Sequence, residues 1–269
     1  MFSLMSLFGK KKSKFVAAST SEKGLVRSDN QDTVVCECGA GLFAVADGMG
    51  GGSEGALASK WVGEALEDVA KAKVSLSLAE RMELVGEMIK RANKRIRMRA
   101  AECGHKTMGT TVALMLVDPG DLSQAKICHA GDSRVYRLRG GTLQPLTRDH
   151  TVGCELGVAA AAGGYARLCA SRRNPLSHIL TRAVGTEDLL RLEWLDIGLE
   201  RGDRFLLCTD GVHDVMEDDD LRAALPGGTP ASAAARISEK VLSRGAPDNF
   251  SIVCVDVVAG EKPNAAKLK

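Results

Sequence analysis

The sequence predicts an α+β fold built around one main domain, and three observations support this. Two amphipathic helical segments follow one another between residues 53 and 104, which predicts a packed antiparallel helix pair. Short apolar or alternating runs separated by glycine, proline and aspartate then fill residues 110–146, which predicts antiparallel strands. No linker rich in proline, serine or charge divides the 269 residues, so a single core is expected.

Turn and capping signals define the elements of the N-terminal half. Strands are predicted over residues 33–36 and 43–46, joined by a glycine-containing hairpin. A first helix begins after Ser53. A longer helix begins with the capping box Ser77-Leu78-Ala79-Glu80 and ends near Gly104.

The middle of the chain is predicted to be an antiparallel meander. Its four strands span residues 110–117, 124–130, 133–139 and 143–146. The alanine- and glycine-rich segment that follows, residues 151–177, is longer than an ordinary connection, and such a segment is usually a lid, a binding loop or a disordered insert. Its alanine run would also suit a short helix.

The C-terminal part alternates between strand and helix signals. Strands are predicted at residues 192–197, 204–209 and 250–258, and a helix runs from Thr229-Pro230 to Gly245. The main domain is therefore assigned to residues 21–259 and the tails to residues 1–20 and 260–269.

Composition excludes several classes of protein. The 36 basic and 34 acidic residues give a formal charge of +2, which argues against a dedicated nucleic-acid binder. No apolar run is long enough for stable membrane insertion. An apolar start followed by lysines reverses the order of a signal peptide, although it leaves weak attachment to an anionic surface open. The eight scattered cysteines suit a reducing compartment, so a cytoplasmic location is expected.

Aspartates recur at the ends of the predicted strands. Asp47 and Asp210 each follow an apolar strand and precede glycine, and Asp132 lies in a glycine-flanked link. Asp32 and Asp248 stand at strand starts. If these ends converge, five carboxylates would repel one another unless cations were bound. Oxygen-only ligands favour Mg²⁺ or Mn²⁺ over Zn²⁺.

These residues carry a resemblance to a known family. The chain resembles, in family order from about Gly24 to Val258, the bacterial form of the protein phosphatase 2C (PP2C or PPM) family of metal-dependent protein serine/threonine phosphatases. The matching segments are Arg27 with Asn30-Gln31-Asp32, Asp47-Gly48-Met49-Gly50-Gly51, Met108-Gly109-Thr110-Thr111, Gly131-Asp132-Ser133-Arg134, Asp149-His150-Thr151, Leu180-Thr181-Arg182-Ala183-Val184-Gly185, Asp210-Gly211 and Asp248-Asn249. The resemblance implies a central β-sandwich of two antiparallel sheets flanked by antiparallel helix pairs.

The resemblance also implies roles for individual residues. Asp47 would bridge two metal ions, and the Gly48 carbonyl would bind the first of them. Asp210 and Asp248 would complete the second site, Asp32 would bind or hold metal-bound water, and Asp132 with Asp210 would hold a third ion. Arg27 would bind the substrate phosphate, for which its planar fork is suited. The resemblance suggests that residues 151–177 are a flap insert over the site. Arg172 and Arg173, in this flap insert, are predicted to attract an acidic phosphopeptide.

The implied function is a hydrolase active in signal transduction. Two or three Mn²⁺ or Mg²⁺ ions per chain would activate a bridging water that attacks phosphoserine or phosphothreonine of proteins directly. The enzyme would be a monomer and would oppose a bacterial Ser/Thr kinase. Met49 replaces the histidine of animal members and leaves the general acid unassigned. The alternative is a catalytically inactive module that binds phosphoproteins or regulates a partner.

Three local patterns have competing interpretations. Cys128 and Arg134 have the C-x₅-R spacing of cysteine-dependent tyrosine phosphatases, but the residues after Arg134 read as a strand and not as the helix that such a mechanism needs. The five histidines show no paired ligand spacing, and His150 has the best claim to lie near the site. The basic residues from Arg91 to Arg99 are interpreted as a solvated helix face, with a docking patch as the alternative.

Overall fold

The computed structural model describes residues 15–72, 76–104, 108–119, 121–160 and 175–258. The strands in these residues are β1 (Phe15–Glu22), β2 (Asp32–Glu37), β3 (Leu42–Met49), β4 (Gly109–Thr110), β5 (Val112–Asp118), β6 (Asp121–Ala130), β7 (Arg134–Arg139), β8 (Thr142–Pro145), β9 (Glu193–Gly198), β10 (Arg204–Cys208) and β11 (Phe250–Val257). The helices are α1 (Glu54–Lys71), α2 (Leu78–Cys103), α3 (Val152–Ala160), α4 (Asp210–His213), α5 (Asp218–Ala224) and α6 (Pro230–Ser243).

Two antiparallel sheets form the centre of the molecule. Sheet I has the strand order β1-β11-β10-β7-β8, and sheet II has the order β2-β3-β5-β6-β9, with β4 paired to β3. All of these pairs are antiparallel. The first and last strands, β1 and β11, pair along their whole length, so the two ends of the described chain meet in sheet I.

Three apolar layers separate four layers of secondary structure. Phe43 and Val45 of β3 lie in the layer between the sheets, whereas Leu42 and Ala44 pack in the layer that contains α1 and α2. This alternation follows from the two-residue period of a strand. The third layer joins the outer face of sheet I to α4, α5 and α6. The predicted α-β-β-α sandwich is therefore confirmed, with one long helix and two short ones on the second face.

The N-terminal tail predicted over residues 1–20 is too long. Phe15–Glu22 forms β1, whose Phe15 is buried and packs edge-on against Phe43 at 6.2 Å between ring centroids. This strand was not predicted because a lysine run precedes it and because its partner strand, β11, lies at the other end of the described residues. Residues 1–14 and 259–269 lie outside the described residues.

The predicted meander is also wrong in one respect. β5 pairs with β6 and β7 pairs with β8, but β6 belongs to sheet II and β7 to sheet I. The connection Gly131-Asp132-Ser133 therefore crosses between the sheets. Gly131 has φ of 110° and packs so closely on Thr111 that a Cβ would lie 2.6 Å from its side chain. Only glycine suits this conformation.

Local helix signals are confirmed. The Ser77 hydroxyl accepts a hydrogen bond from the Glu80 amide, and the Glu80 carboxylate accepts one from the Ser77 amide, as the capping box requires. Gly104 ends α2 in the left-handed conformation. Within the predicted flap, residues 152–160 form α3 and Pro175–His178 forms a 3₁₀ turn, while Arg172 and Arg173 lie outside the described residues. None of the helices described is both long and apolar enough to cross a bilayer.

Candidate metal centre

Five aspartates from both sheets meet at one end of the sandwich. Asp32 and Asp47 face each other across β2 and β3 of sheet II. Asp210 follows β10 and Asp248 precedes β11 in sheet I, while Asp132 lies in the crossing from β6 to β7. The Asp47 carboxyl is within hydrogen-bonding reach of Asp210, and its charge also interacts with those of Asp32 and Asp132. Asp32 interacts in the same way with Asp210 and Asp248.

Two threonines hold the backbone of Asp47 in place. The Thr110 hydroxyl and the Thr111 amide each donate to the Asp47 carbonyl at 2.8 Å. The Asp47 amide donates to the Thr111 hydroxyl at 2.9 Å, and that hydroxyl bonds the Ser133 hydroxyl at 2.7 Å. These bonds fix the position of Asp47 at three places: β4, Thr111 between β4 and β5, and the crossing that carries Asp132. β3 continues through Asp47 to Met49, so the carboxylate lies within the strand and not after its end.

Gly48 lies where no side chain fits. A Cβ on Gly48 would lie 2.1 Å from the Gly55 carbonyl oxygen and 2.7 Å from that of Gln31. A Cβ on Gly55 would in turn lie 2.8 Å from the Gly48 carbonyl oxygen. The two glycines therefore let the first turn of α1 pack closely against the end of β3, beside Asp47.

Burial and mutual repulsion raise the pKa values of four of these carboxyls. Burial raises the pKa of Asp32 to about 7, and the charges of Asp210 and Asp248 add to this effect, while hydrogen bonds from Ser251 and Thr209 oppose it. Burial and then the charge of Asp210 raise the pKa values of Asp47 and Asp132 well above the ordinary range. The pKa of Asp210 is raised by burial and by Asp214. The cluster therefore disfavours full ionisation without a compensating positive charge.

The donor set fits hard divalent cations. One carboxylate oxygen of Asp32 (Oδ1) and one of Asp210 (Oδ1) are buried and have no hydrogen-bond partner among the described residues. Buried carboxylate oxygens are normally paired or bind a metal, because leaving them unpartnered is costly. The donors that the five aspartates and Gly48 offer are carboxylate and carbonyl oxygens, which are the ligands that Mg²⁺ and Mn²⁺ prefer.

Arg27 lies at the rim of the cluster. Its guanidinium donates to the Asp248 carboxylate (Nη2 to Oδ2, 2.6 Å), and its side chain is 57% exposed. Asn249 stabilises the neighbouring loop, since its Oδ1 accepts from the Gln31 amide at 2.9 Å and its Nδ2 donates to the Lys23 and Asp29 carbonyls at 2.8 Å. The guanidinium is thus held beside the aspartates and remains open to solvent.

Several residues that hydrogen-bond the aspartates were not predicted from the sequence. The Thr209 hydroxyl donates to Asp32 at 2.9 Å, and His213 bonds the Asp132 carbonyl oxygen at 3.0 Å. Thr209 and His213 flank Asp210 in the chain, so their proximity to that residue was the available signal. Their partners, Asp32 and Asp132, are distant in sequence and became visible only when the sheets were assembled.

A second polar group supports the crossing that carries Asp132. The rings of His129 and His150 stack with centroids 4.3 Å apart. His150 accepts a hydrogen bond from the Gly131 amide at Nδ1 (3.2 Å), so its Nε2 carries the proton and donates to Glu193 at 3.1 Å. Burial, followed by the charge of His129, lowers the pKa of His150 to about 4, so its ring is neutral near pH 7.

This group has the composition of a metal site, because His129, His150 and Glu193 lie close enough to share an ion. Its geometry opposes that role. The planes of the two stacked rings differ by only 10°, so their in-plane lone pairs cannot both point at one cation. The Arg182 guanidinium also lies 3.0 Å from His150 Nε2. The expectation that His150 lies near the site is correct, and its role is to support Gly131.

The cysteine-dependent alternative does not match the structure. Cys128 is fully buried in β6, and burial raises the pKa of its thiol. Arg134 begins β7 and is bound bidentately to Asp149 at 2.7 and 2.5 Å, so it does not open a helix around a phosphate-binding loop. A buried, protonated thiol is a poor nucleophile.

The fold and the acid cluster together define a metal-binding α-β-β-α sandwich, and comparisons with known proteins identify its family. The family model for protein phosphatase 2C matches residues 17–242. The chain belongs to the protein phosphatase 2C family.

Individual relatives cover nearly all of the chain. It is 33% identical over 243 residues to the serine/threonine protein phosphatase PstP of Mycobacterium tuberculosis, covering 90% of this chain and 45% of that protein. It is 30% identical over 248 residues to the serine/threonine phosphatase stp of Listeria welshimeri, covering 88% and 93% of the two chains. The chain therefore spans about half the length of PstP but almost the whole of stp.

Solved structures agree with the fold. PppA of Pseudomonas aeruginosa, described as a key regulatory component of T6SS, superposes with a TM-score of 0.79 at 33% identity, covering 90% of this chain and 97% of that one. The catalytic domain of PstP in complex with two manganese ions superposes with a TM-score of 0.77 at 32% identity, covering 91% and 99% of the two chains.

Proposed function

We propose that the chain is a Mn²⁺- or Mg²⁺-dependent protein phosphatase that hydrolyses phosphoserine and phosphothreonine on proteins. The observation that carries the proposal is the cluster of five aspartates, in which two buried carboxylate oxygens have no hydrogen-bond partner in the part of the chain that the structure describes. Relatives that match almost all of the chain are serine/threonine phosphatases, and the PstP catalytic domain binds two manganese ions. Both findings support the same activity here.

Each residue of the cluster has a proposed task. Asp47 would hold two cations together with the Gly48 carbonyl, Asp210 and Asp248, and Asp32 would lie beside them. Asp132 with Asp210 would hold a third ion. The bound cations would supply Lewis acidity and charge neutralisation for attack of water on phosphorus. Arg27, exposed at the rim, would orient the phosphate. Arg172 and Arg173 remain proposed contacts for an acidic phosphopeptide.

The leaving-group proton has no side-chain donor at position 49. A Cβ on Gly109 would lie 2.8 Å from the Met49 Cε atom, so the Met49 side chain packs against β4. A thioether cannot donate a proton.

We propose that the chain acts as a cytoplasmic monomer on phosphorylated proteins and opposes a Ser/Thr kinase. A catalytically inactive binding module has no specific support, since all five aspartates and Arg27 are present.

The proposal is tested by hydrolysis of p-nitrophenyl phosphate and of a phosphothreonine peptide. We expect turnover in Mn²⁺ and a loss of at least about 100-fold in EDTA, because the cluster cannot act without cations. Cys128→Ser should retain activity within about twofold, since the thiol is buried away from the reaction. Activity that persists in EDTA, or that disappears only in Cys128→Ser, would refute the metal-dependent mechanism.

Replacement of Arg27 should weaken phosphate binding more than turnover. We expect Arg27→Ala to raise KM for the phosphopeptide and Ki for inorganic phosphate by about tenfold or more, because a hydrogen bond to a charged group is worth about 1.5–3 kcal/mol. Arg27→Lys should recover part of this loss, since it keeps the charge but not the fork. An unchanged Ki for phosphate in Arg27→Ala would remove Arg27 from the proposed site.

A further inference from the structure

A groove of about 550 Å³ separates α1 from the second half of α2. This volume lies in the range of ligand-binding clefts. Its walls combine one aromatic ring, one exposed thioether and several cations. The lining residues used below are Trp61, Arg91, Lys94, Arg95, Met98 and Arg99.

The groove has an apolar floor. Trp61 is half-buried, and the Arg95 guanidinium lies 3.9 Å from its ring centroid, which orders both side chains. Met98 is 56% exposed although its side chain is apolar and adaptable. A partner residue entering the groove would thus bury apolar surface between Met98 and Trp61.

The rim of the groove carries unneutralised positive charge. Arg91 and Lys94 are exposed, and neither has an acidic partner among the described residues. Arg95 reaches Glu64 only at 3.9 Å, and such an exposed contact is weak. Arg99 is the one lining cation with a close acidic partner, Glu54, at 3.0 and 3.1 Å. Glu102 is the one acidic residue that lines the groove, and four cations outnumber it, so the chemistry of the groove fits an anionic ligand.

The segments of this chain that lie outside the described residues do not complement the groove. Residues 1–14 contain four lysines and no acid, residues 161–174 contain three arginines and no acid, and residues 259–269 contain three lysines and one glutamate. All three are net basic, so none of them offers an acidic ligand for the groove.

One end of the groove is linked to the acid cluster through the start of α1. Glu54, which pairs with Arg99, is the first residue of α1, and the next residue, Gly55, packs against Gly48 beside Asp47. From Arg99 to Arg91 the groove runs about 12 Å along α2, given 1.5 Å per residue. An extended peptide covers that distance with about three or four residues.

We propose that this groove binds an acidic segment of the phosphoprotein substrate, at a position flanking the residue held in the acid cluster. The inference deepens the proposed phosphatase function and rests on it. It replaces the sequence interpretation of the basic α2 face as a merely solvated surface.

Binding is tested without catalysis, so that failure of the groove and failure of the phosphatase function can be told apart. A fluorescein-labelled, unphosphorylated peptide with four glutamates and one leucine is titrated with the full chain, and its anisotropy is followed. We expect Lys94→Glu and Arg91→Glu each to weaken binding about five- to tenfold, because charge reversal costs both attraction and pairing. Lys90→Glu is the matched control, since Lys90 is exposed on the same helix but does not line the groove.

The substrate role is then tested by kinetics. A phosphothreonine peptide flanked by glutamates should have a KM about five- to tenfold lower than the same peptide flanked by alanines. Lys94→Glu should abolish this difference and leave kcat and p-nitrophenyl phosphate turnover unchanged, and Lys90→Glu should preserve it. Equal loss of peptide binding in Lys90→Glu and Lys94→Glu would overturn the proposal. So would binding to phosphatidylserine vesicles in place of the peptide, or self-association in sedimentation that Lys94→Glu abolishes.

Discussion

Replacing Asp47 by asparagine is expected to lower kcat for Mn²⁺-supported hydrolysis of p-nitrophenyl phosphate by on the order of 10³-fold, the scale seen when one preorganised electrostatic contact is lost. Asp47 is the carboxylate that faces Asp32 in register and lies within hydrogen-bonding reach of Asp210. The amide of asparagine is neutral and would hold two cations poorly. Initial rates over a Mn²⁺ titration measure the effect.

The variant should remain folded, which separates a catalytic effect from misfolding. The backbone of Asp47 keeps its bonds to Thr110 and Thr111, and an asparagine amide can donate to Asp210. Asp196→Asn is a suitable control, because Asp196 is 66% exposed and pairs with Lys126 on the β9 edge. Asp47→Asn turning over at a rate close to that of Asp196→Asn would exclude Asp47 from the metal centre.

Asp32→Asn is expected to stabilise the metal-free protein at pH 8 and not at pH 4. The pKa of Asp32 is about 7 in the folded state against an ordinary value of 3.8. Between these values the folded state binds more protons than the unfolded state, so stability falls as pH rises through this window. A shift of this size corresponds to on the order of 4 kcal/mol at pH 8, which asparagine would recover because it does not ionise.

Thermal unfolding in EDTA at pH 4 and pH 8 measures this effect. At about 2–4 °C per kcal/mol for a chain of this size, the unfolding midpoint of Asp32→Asn at pH 8 should rise by about 8–16 °C. The rise in the unfolding midpoint on adding Mn²⁺ should be smaller for Asp32→Asn than for the unaltered protein. Asp196→Asn should leave the unfolding midpoints at pH 4 and pH 8 unchanged. An Asp32→Asn midpoint that falls at pH 8 would show that Asp32 ionises without penalty in the fold.

Much of the helical structure could be predicted from local sequence signals. The capping box at Ser77 and the C-terminal glycine of α2 are confirmed because both depend on neighbouring residues alone. The Thr229 cap and Pro230 at the start of α6 are confirmed for the same reason. α5 was missed, although the run Glu217 to Asp220 supplies an acidic first turn and its own capping box.

Sheet membership could not be read from local sequence. β6 and β7 are separated by only three residues yet lie in different sheets, and β1 depends wholly on β11. The candidate site could likewise be predicted only in part from local sequence. Its aspartates were recognised from repeated strand-end patterns and from a family resemblance, whereas the Thr209 bond to Asp32 and the stacked histidines required the assembled sheets.

The pairing of β1 with β11 has a consequence for synthesis of the chain. Asp248 reaches Arg27 across 221 positions, and the strand that follows Asp248 supplies every sheet partner of β1. Contacts this distant in sequence form late, since the intervening chain must first be ordered. A ribosome-bound chain that ends before Asp248 and β11 therefore has neither a complete sheet I nor a complete set of carboxylates. The candidate metal centre becomes complete only after β11 has been synthesised, so a nascent chain without β11 is expected to lack the full ligand set.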